Sequence, residues 1–537
     1  MKFSLSAAVL LVTMLSAQLG CGGGSSSGGG SGSGPDNGTL TAMNDGFQYK
    51  IQNVSSGLLL EVAGQSQTAG ALLAQAADDG NGDQTWHFMP MGNDQFNVEY
   101  LLTHQVVGIT NASQQSGATA LQWADNGTPD HLWEFYLLTD GNYLIKNANS
   151  SLYLEDRGSD TTPSAVIDQA ARATTGTGCS CQEWTLTSTG TSPYPAPLAV
   201  SGTGIYVHDP YMLKDPSGTY WLYGTHQTLA FSTDLATFTY TTATSAQGAC
   251  TTAQGTYWLT DDNRCPIIGP DFTSWTGLQT PPSDNNGENI DVWAPSLMYY
   301  SGTYYQYYAI PYEPSTGAEA VIGLATSATP YGPWTDNGYV VTSWTTTSPL
   351  PSPNPWGFVT GTTWNAIDPA PFIDASGLWW MSFGSWSDGI HIMQLDPATG
   401  LQLQSNLAIP VIAYRPAGEE GSFIYPYIYN GTEYYYYFAP INVCCDGTSS
   451  TYRIIVGRST SPTGPYLDRG GLDLTAGGGT ILLSSHGNIY GPGGQSVFTD
   501  GTLPTLVYHY YDGNNNGTPT LGINRLSFTS DGWPFVQ

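Results

Sequence analysis

Two sets of internal repeats divide this sequence, and they restrict it to folds assembled from copies of one small β unit. Three segments between residues 43 and 190 end in a tryptophan: Gln84-Thr85-Trp86, His131-Leu132-Trp133 and Gln182-Glu183-Trp184. The tryptophans are 47 and 51 residues apart. Because a unit of this length cannot bury a core alone, the three copies should pack around a pseudo-threefold axis. The pattern predicts that the three tryptophans are core residues.

Each of these segments begins with a turn and a short apolar strand, and the whole region resembles the ricin-type β-trefoil lectins. Their signature is Gln-any-Trp once per repeat, and the second repeat here departs from it at His131. In that family each sugar subsite uses an acidic residue just after the first strand. Glu61 and Glu155 stand near that position, whereas the second repeat has Gly108. The resemblance implies sugar binding in repeats one and three, and the alternative is a trefoil that no longer binds sugar.

A second repeat begins near residue 203, where five aromatic or apolar strands follow small turns. These strands are Gly218–Tyr223, Gly302–Tyr307, Gly377–Ser382, Gly431–Tyr436 and Gly501–Leu506. Their spacings of 84, 75, 54 and 70 residues suit a four-stranded blade with its loops. Five such units predict a five-bladed β-propeller. A pair of β-sandwiches is the all-β alternative, but it does not explain five similar hairpins.

The composition agrees with an all-β chain of several domains. Charged residues make up only 10% of the 537 residues, while Gly, Tyr and Trp number 65, 35 and 16. This mixture favours short strands and tight turns over helices. The net charge of −30, with only 12 Lys and Arg, would repel nucleic acid and excludes it as a partner class. Abundant aromatic side chains suit neutral sugars instead, since their faces stack on sugar rings.

The first residues have the pattern of an export signal. Lys2 supplies a positive charge, and residues 3–19 form an apolar run too short for a typical spanning helix. Cys21 follows, and then a Gly/Ser tract over residues 22–34. The pattern predicts a bacterial lipoprotein with a lipidated Cys21 on a flexible tether, although Gln18 departs from the usual lipobox. Simple cleavage and release is the alternative.

These observations predict four segments. They are a signal peptide at 1–21, a Gly/Ser-rich linker at 22–42, a β-trefoil module at 43–190 and the propeller at 200–537. We therefore expect a secreted protein or one anchored at the cell surface or outer membrane, acting as a monomer. The six cysteines after Cys21 favour disulfides. Cys250 and Cys265 would close a modest loop, while bonds within the pairs Cys179/Cys181 and Cys444/Cys445 would be strained.

Acidic residues recur at one place in the propeller repeats. Asp209 and Asp368 each lie nine residues before a turn glycine, and Asp291 and Glu420 each lie eleven residues before one. A lone Asp-Pro is usually a turn. The shared position instead predicts four carboxylates on the strands that line the central channel. Such carboxylates raise at least one pKa by mutual repulsion, which gives a glycosidase one protonated acid and one ionised base.

Several ordered motifs of this segment resemble glycoside hydrolase family 43, and within it the arabinanases. The matching stretches are Val207–Pro210, Val292–Pro295, Ile322–Ser327, Asn365–Pro369, Phe383–Trp386, Glu420–Ile424, Cys444–Gly447, Val456–Ser459, Thr518–Leu521 and Asp531–Pro534. The resemblance implies that Asp209 is the general base, Glu420 the general acid and Asp368 the residue that orients the acid and tunes its pKa. It also implies inversion of anomeric configuration, for which the acid and base stand about 6.5–9.5 Å apart.

Other residues are expected to support this site. Asp291 and Trp293 are candidates for the sugar subsite, and Asn365 and Ser385 for hydrogen bonds to the substrate or to the acids. Arabinanases often hold a central metal ion, commonly Ca²⁺, with a histidine of a Gly-Pro-Gly-His motif. That position is Gly494 here, so His509 is the candidate metal ligand.

The resemblance implies an inverting endo-arabinanase that cleaves the α-1,5-L-arabinan of plant cell walls. An exo-acting α-L-arabinofuranosidase or β-xylosidase shares the fold and the carboxylates, and the loops at the channel mouth would decide between them. The segments 251–289 and 344–364 are candidates for those loops. A non-catalytic sugar-binding protein is the alternative from another class.

Overall fold

A computed structural model describes residues 36–80, 84–173, 178–226, 228–241, 292–311, 319–332, 334–344, 350 and 358–537. The predicted signal peptide, Cys21, Cys250, Cys265, Asp291, the segment 251–289 and most of 345–357 lie outside these residues. The described part is all-β, as predicted, and its strands are joined by turns and short 3-10 helices. Within it, no helix has the length and apolar character needed to cross a bilayer.

The N-terminal unit is a β-trefoil. Its strands are β1 (Thr39–Leu40), β2 (Tyr49–Asn53), β3 (Leu59–Val62), β4 (Leu73–Ala76), β5 (Trp86–Pro90), β6 (Phe96–Tyr100), β7 (Gln105–Ile109), β8 (Ala120–Trp123), β9 (Trp133–Leu137), β10 (Tyr143–Asn147), β11 (Tyr153–Asp156), β12 (Ile167–Ala170) and β13 (Glu183–Ser188). Strands β2, β5, β6, β9, β10 and β13 pair around a closed barrel. The hairpins β3–β4, β7–β8 and β11–β12 form its cap.

The three repeat tryptophans are core residues, which confirms that prediction. Trp86, Trp133 and Trp184 are each 0% exposed. Each indole N–H donates to a backbone carbonyl of its own repeat: Trp86 to Leu60, Trp133 to Val107 and Trp184 to Leu154, at 3.2, 2.9 and 3.1 Å. A buried indole N–H needs such a partner, so the contact fixes each tryptophan in its copy of the unit.

The trefoil begins slightly earlier than the sequence suggested. Strand β1 lies at Thr39–Leu40, inside the segment expected to be linker, and pairs with β9 through Leu137 and Tyr136. Backbone pairing rather than composition decides this boundary, because the residues around β1 are as small and polar as a linker.

The C-terminal unit is a propeller of five antiparallel blades. The blades comprise β14 (Tyr211–Lys214), β15 (Tyr220–Gly224), β16 (Thr228–Ser232) and β17 (Thr239–Tyr240); β18 (Trp293–Tyr300), β19 (Thr303–Pro311), β20 (Glu319–Ser327) and β21 (Thr335–Trp344); β22 (Ala370–Ile373), β23 (Trp379–Phe383), β24 (Ile390–Leu395) and β25 (Val411–Ala413); β26 (Phe423–Tyr429), β27 (Thr432–Ile441), β28 (Arg453–Ser459) and β29 (Thr480–Leu483); and β30 (Ile489–Asp500), β31 (Leu503–Asp512), β32 (Thr518–Phe528) and β33 (Pro534–Val536). The predicted aromatic strands form the second strand of each blade.

The turn glycines before these second strands share one backbone conformation. Gly218, Gly302, Gly377, Gly431 and Gly501 have φ of 93°, 87°, 79°, 82° and 66°. Only glycine adopts such angles without steric cost, which explains its recurrence at every first hairpin. Hydrophobic cores then lie between neighbouring blades, such as the cluster that joins Trp221 of the first blade to Tyr308 of the second.

The trefoil packs directly on the fourth blade. Met89 and Val106 of the trefoil belong to the same buried cluster as Ile454 of β28. Arg453, only 1% exposed, crosses the junction to form an ion pair with Asp125 at 3.2 Å and to donate to Asn97 at 2.9 Å. A buried charge is tolerated only when it is paired in this way, so the two units share a continuous interior.

Two disulfides among the described residues join cysteines that are close in sequence; the even number of cysteines predicted disulfides, and the spacing predicted that bonds within these pairs would be strained. They link Cys179 to Cys181 in the trefoil and Cys444 to Cys445 in the propeller. Left-handed backbone at Cys445, with φ of 68°, accompanies the second bond. Proximity in the chain therefore did not prevent pairing here.

Candidate active site

The propeller repeats one unusual backbone conformation around its central channel. One residue of each blade, before or within the inner strand, is left-handed: Asp209, Ala294, Asp368, Gly421 and Gly494 have φ of 50°, 40°, 56°, 54° and 54°. All five line the channel. A non-glycine residue in this region is strained by about 1–3 kcal/mol. The repeated geometry therefore directs the side chains of Asp209 and Asp368 toward the mouth of the channel. In the fourth blade the left-handed residue is Gly421, and the residue before it, Glu420, lies at the same mouth.

The three predicted carboxylates lie in one cavity of about 560 Å³. Asp209, Asp368 and Glu420 line it together with Trp293, and each carboxylate is half-buried. They lie two or three residues before the inner strands β14, β22 and β26 of the first, third and fourth blades. Asp291, the fourth predicted acid, lies outside the described residues.

Asp209 is held by contacts that favour its ionised form. Its Oδ2 accepts from Nδ1 of His208 at 2.9 Å and from Oγ1 of Thr225 at 2.6 Å. Its backbone N–H donates to Nδ1 of His509 at 3.1 Å. Burial alone would raise the pKa of Asp209, but the nearby imidazoles and the hydrogen bonds outweigh it and hold that pKa well below the usual range.

Asp368 and Glu420 form a pair with the opposite tendency. Burial raises the pKa of both, and repulsion between the carboxylates of the site raises it further. Oδ2 of Asp368 accepts from the backbone N–H of Gly421 at 2.9 Å. Glu420 accepts from Oγ of Ser385 at 2.7 Å and from the hydroxyl of Tyr452. The pair therefore retains a proton in a pH range where Asp209 is ionised.

The neighbouring Glu419 does not face the cavity. Its side chain is buried on the opposite side of the backbone that leads into β26, where it accepts from the hydroxyl of Tyr437 at 2.6 Å. Burial raises its pKa to about 6, although Arg415 opposes this shift. The alternation of side chains along an extended backbone thus presents Glu420, and not Glu419, to the cavity.

The remaining predicted residues of the propeller are divided between the cavity and its supporting wall. Trp293 lines the cavity. Ser385 is buried and contacts Glu420, so it orients the acid rather than facing substrate. Asn365 is also buried and does not line the cavity, so its predicted hydrogen bond to the substrate or to the acids stays a prediction. The close packing of the third blade behind Asp368 withdraws both side chains from the surface.

The predicted trefoil residues lie in a separate unit and keep the pattern of repeats one and three. Glu155 accepts from Nε2 of Gln182 at 3.0 Å, and Glu61 lies 3.4 Å from Nε2 of Gln84. In the second repeat, a Cβ at Gly108 would stand 2.5 Å from the ring of His131. His131, which stands where the other two repeats have Gln, therefore occupies the space that an acidic side chain at position 108 would need.

The residues around His509 do not suit Ca²⁺. His208, Asp209 and His509 are near enough to share an ion. Ca²⁺ takes six to eight oxygen ligands, whereas this group offers one carboxylate and two imidazoles. Both Nδ1 atoms are already engaged by Asp209. The second group near enough, His208 with Cys444 and Cys445, has its sulfurs joined in a disulfide.

Several cavity residues carry no signal that sequence reasoning recognised. Thr225 ends the first aromatic strand, Tyr452 follows the Cys444-Cys445 stretch, and Tyr511 stands in the last blade. Recognisable motifs stand near them in the sequence. Thr and Tyr are common in strands, however, so the residue type alone does not mark these residues as part of a site. Their role follows only from the folding of three blades around one channel.

A five-bladed propeller with carboxylates of opposite pKa shift in its channel has the groups that an acid–base glycosidase requires, and comparisons with known proteins show that class. Residues 268–534 match Glycosyl hydrolases family 43, and residues 39–123 and 129–207 match the ricin-type beta-trefoil lectin domain-like family. The chain belongs to glycosyl hydrolase family 43 and carries a ricin-type β-trefoil in front of its catalytic propeller.

The relatives of this chain carry the names of enzymes that act on arabinan. A probable arabinan endo-1,5-alpha-L-arabinosidase A of Emericella nidulans is 40% identical over 46% of this chain and 74% of its own length. The extracellular endo-alpha-(1->5)-L-arabinanase 1 of Bacillus subtilis is 39% identical over 49% of this chain and 72% of its own. The crystal structure of an endo-1,5-alpha-L-arabinanase from Thermotoga petrophila has a TM-score of 0.50 and 26% identity, covering 64% of this chain and 75% of that one.

Proposed function

We propose that this glycosidase is an inverting endo-arabinanase that hydrolyses α-1,5-L-arabinan of plant cell walls. The observation that carries the proposal is the contrast between Asp209, whose pKa is lowered, and the pair Asp368 and Glu420, whose pKa values are raised, in one cavity. The names of the relatives support arabinan as the substrate.

In the proposed reaction, Asp209 acts as the general base. A water molecule between Asp209 and the anomeric carbon gives up its proton to the carboxylate as its oxygen attacks. The hydrogen bonds from His208 and Thr225 keep the base ionised and aimed at the water. Attack from the face opposite the leaving group inverts the anomeric configuration.

Glu420 acts as the general acid in the same step. It donates its proton to the glycosidic oxygen as the bond to the anomeric carbon breaks, so the leaving sugar departs as an alcohol. Ser385 and Tyr452 orient its carboxyl group. Asp368, held by the N–H of Gly421, keeps the proton on this side of the cavity by repulsion.

The trefoil is proposed to hold the enzyme on polysaccharide through Glu61 and Glu155. This role is supported by the family match and by the Gln–Glu contacts in repeats one and three. We test it with Glu61→Gln combined with Glu155→Gln, and with Asp94→Asn, at an exposed left-handed turn of the same unit, as the matched control. Binding to insoluble cell wall should fall in the first variant alone. Equal binding by all variants would reject the subsites.

We propose that the protein is exported as a monomer and tethered at the cell surface or outer membrane through a lipidated Cys21. The sequence pattern of the first 34 residues and the extracellular relative support this location. Tethering would raise the effective concentration of the enzyme near its polymer. Cys21→Ser should release the protein from the membrane fraction, and its retention there would contradict lipidation.

The function itself is tested by the product profile on linear arabinan, with xylan and aryl glycosides as controls. Mixed short arabino-oligosaccharides early in the reaction are expected from endo action. Release of arabinose alone, or activity confined to xylosides or aryl glycosides, would transfer the proposal to an exo-acting α-L-arabinofuranosidase or β-xylosidase. Sugar binding without any hydrolysis would support a binding protein.

A further inference from the structure

The disulfide between Cys444 and Cys445 lies in the wall of the catalytic cavity. Both cysteines line the cavity with Asp209, and Cys445 is exposed while Cys444 is half-buried. Sγ of Cys445 is 3.8 Å from Nε2 of His208. The bond thus stands beside the histidine that contacts the base.

A continuous series of hydrogen bonds joins this disulfide to the base. The backbone N–H of Cys445 donates to the hydroxyl of Tyr511 at 2.8 Å. That hydroxyl is 2.9 Å from Nε2 of His208, whose Nδ1 is 2.9 Å from Oδ2 of Asp209. We call these four residues the relay.

The chemistry of the groups fixes the direction of each bond. An ionised carboxylate only accepts, so the hydrogen between His208 and Asp209 resides on Nδ1 of His208. In the tautomer with hydrogen on Nδ1, Nε2 accepts the proton of the Tyr511 hydroxyl, and the Tyr511 oxygen is left to accept from Cys445. Every atom in the relay then has a partner of the correct type, and one tautomer of His208 satisfies them all.

Packing restricts the histidine further. The ring of His208 stacks on that of His509, with centroids 3.8 Å apart. Tyr511 is only 2% exposed, so its hydroxyl has little freedom to move. The orientation of the Tyr511 hydroxyl then depends on the backbone N–H of Cys445, which donates to it. The disulfide joins the two adjacent cysteines of that segment, and Cys445 has a left-handed backbone there.

We propose that His208, Tyr511 and the Cys444–Cys445 disulfide are positioning residues for Asp209, with the disulfide holding the backbone N–H that orients the tyrosine. This inference rests on the proposed function only in assigning Asp209 as the base. Because the relay acts through the position of Asp209, its loss should act on the rate of the chemical step rather than on binding of the sugar.

The first test is Tyr511→Phe, with Tyr510→Phe on the same strand as the matched control. Misplacement of the base should lower kcat by about 10- to 100-fold while KM stays unchanged. Tyr510→Phe should alter neither. A rise in KM with unchanged kcat would instead make Tyr511 a sugar contact and overturn the relay.

The second test asks whether the disulfide acts through the tyrosine. Cys444→Ser combined with Cys445→Ser should lower kcat in the otherwise unaltered enzyme but add little to Tyr511→Phe, because coupled residues are not additive. Cys179→Ser combined with Cys181→Ser should leave kcat on soluble substrate unchanged. Additive losses would show that the disulfide acts independently of the relay.

A reductant test uses the folded wild-type enzyme, so it can be made even if the serine variants do not fold. A dithiol transfers two electrons and two protons to the bond, leaves two cysteine thiols and becomes a cyclic disulfide. Reduction should lower kcat in wild type and in the Cys179/Cys181 variant, and reoxidation should restore it. If thiol titration shows that Cys444–Cys445 is reduced and kcat is nevertheless unchanged, the proposal is overturned.

The measurements are made on arabino-oligosaccharide and on aryl glycosides, so that the relay is tested on whichever glycoside the enzyme cleaves. Wild-type inactivity on arabinan would overturn the proposed substrate. Unchanged kcat of Tyr511→Phe on the glycoside that wild type does cleave would overturn the relay alone.

Discussion

Asp209 and Asp368 occupy the same position in the first and third blades, and each combines a left-handed backbone, with φ of 50° and 56°, with a following proline. Their electrostatic surroundings nevertheless differ. Asp209 contacts His208 and Thr225, whereas Asp368 faces Glu420 and accepts a single backbone N–H. One repeated backbone geometry thus supplies two carboxylates with opposite pKa shifts: Asp209 as the ionised base, and Asp368 as the neighbour that helps Glu420 to keep its proton.

Neutral substitutions should separate the base from the acid. Asp209→Asn is expected to lower kcat about 100- to 10,000-fold on every substrate, because no group replaces the base. Glu420→Gln should lower kcat similarly on arabinan but less on aryl glycosides, whose leaving group needs no proton. Glu419→Gln is the adjacent control and should keep the rate. Full activity of Glu420→Gln on arabinan would reject the assignment of the acid.

The pH profile of kcat/KM should be broad. Because the pKa of Asp209 is lowered, activity should persist below the usual carboxylate range and fall only as Asp209 becomes protonated. Because the pKa values of Asp368 and Glu420 are raised, activity should be lost at higher pH as the pair gives up its last proton. Asp368→Asn removes the repulsion and should move the alkaline limb to lower pH. An alkaline limb that stays in place would contradict the pairing.

Gly494 leaves room for the base. A Cβ at this position would stand 2.3 Å from Oδ1 of Asp209 and 2.8 Å from Nδ1 of His509. Gly494→Ala should therefore displace the carboxylate and lower kcat about 100-fold. Gly501→Ala is the control, since its φ of 66° imposes a similar backbone strain while its Cβ would meet nothing. Both should lose about 1 kcal/mol of stability, and only the first should lose activity. Equal kcat values would contradict the contact.

Arg453 should contribute strongly to the stability of the whole chain. Arg453→Ala removes the ion-pair partner of buried Asp125 at 3.2 Å and leaves it only the His131 and Arg415 charges, which should cost about 1–3 kcal/mol in the free energy of unfolding. Lys50→Ala removes an exposed pair and should leave the denaturation midpoint unchanged. Denaturant titration measures both. The buried junction also means that deletion of residues 43–190 would expose apolar surface, so point variants are the better test of the trefoil.

Removal of divalent ions should leave the rate unchanged. The donor groups near His509 are one carboxylate and two imidazoles, which do not form an oxygen-rich Ca²⁺ site. We expect equal kcat before and after treatment with EDTA, measured with and without added Ca²⁺. Inactivation by EDTA that Ca²⁺ alone reverses would instead favour the ion that the family resemblance implied, with His509 as its neighbour.

The linear pattern was sufficient for features that depend on neighbours in the chain. Turn glycines such as Gly377, the repeated tryptophans and the alternation that presents Glu420 rather than Glu419 all follow from local backbone geometry. For this reason the all-β class, the number of repeats and the three carboxylates were predictable. The pairing of cysteines and the start of the trefoil at Thr39 were not, since they depend on loop conformation and strand pairing.

The sequence by itself determined the units and the acidic residues that each blade contributes. Only the tertiary structure decided how they are tuned, because the decisive contacts join residues about 300 positions apart: Asp209 with His509, and His208 with Tyr511. It also withdrew Asn365 from the cavity and placed the Cys444–Cys445 disulfide beside the base. The physical reason is that closing a propeller brings the first and last blades together, and no local propensity records which side chains then meet.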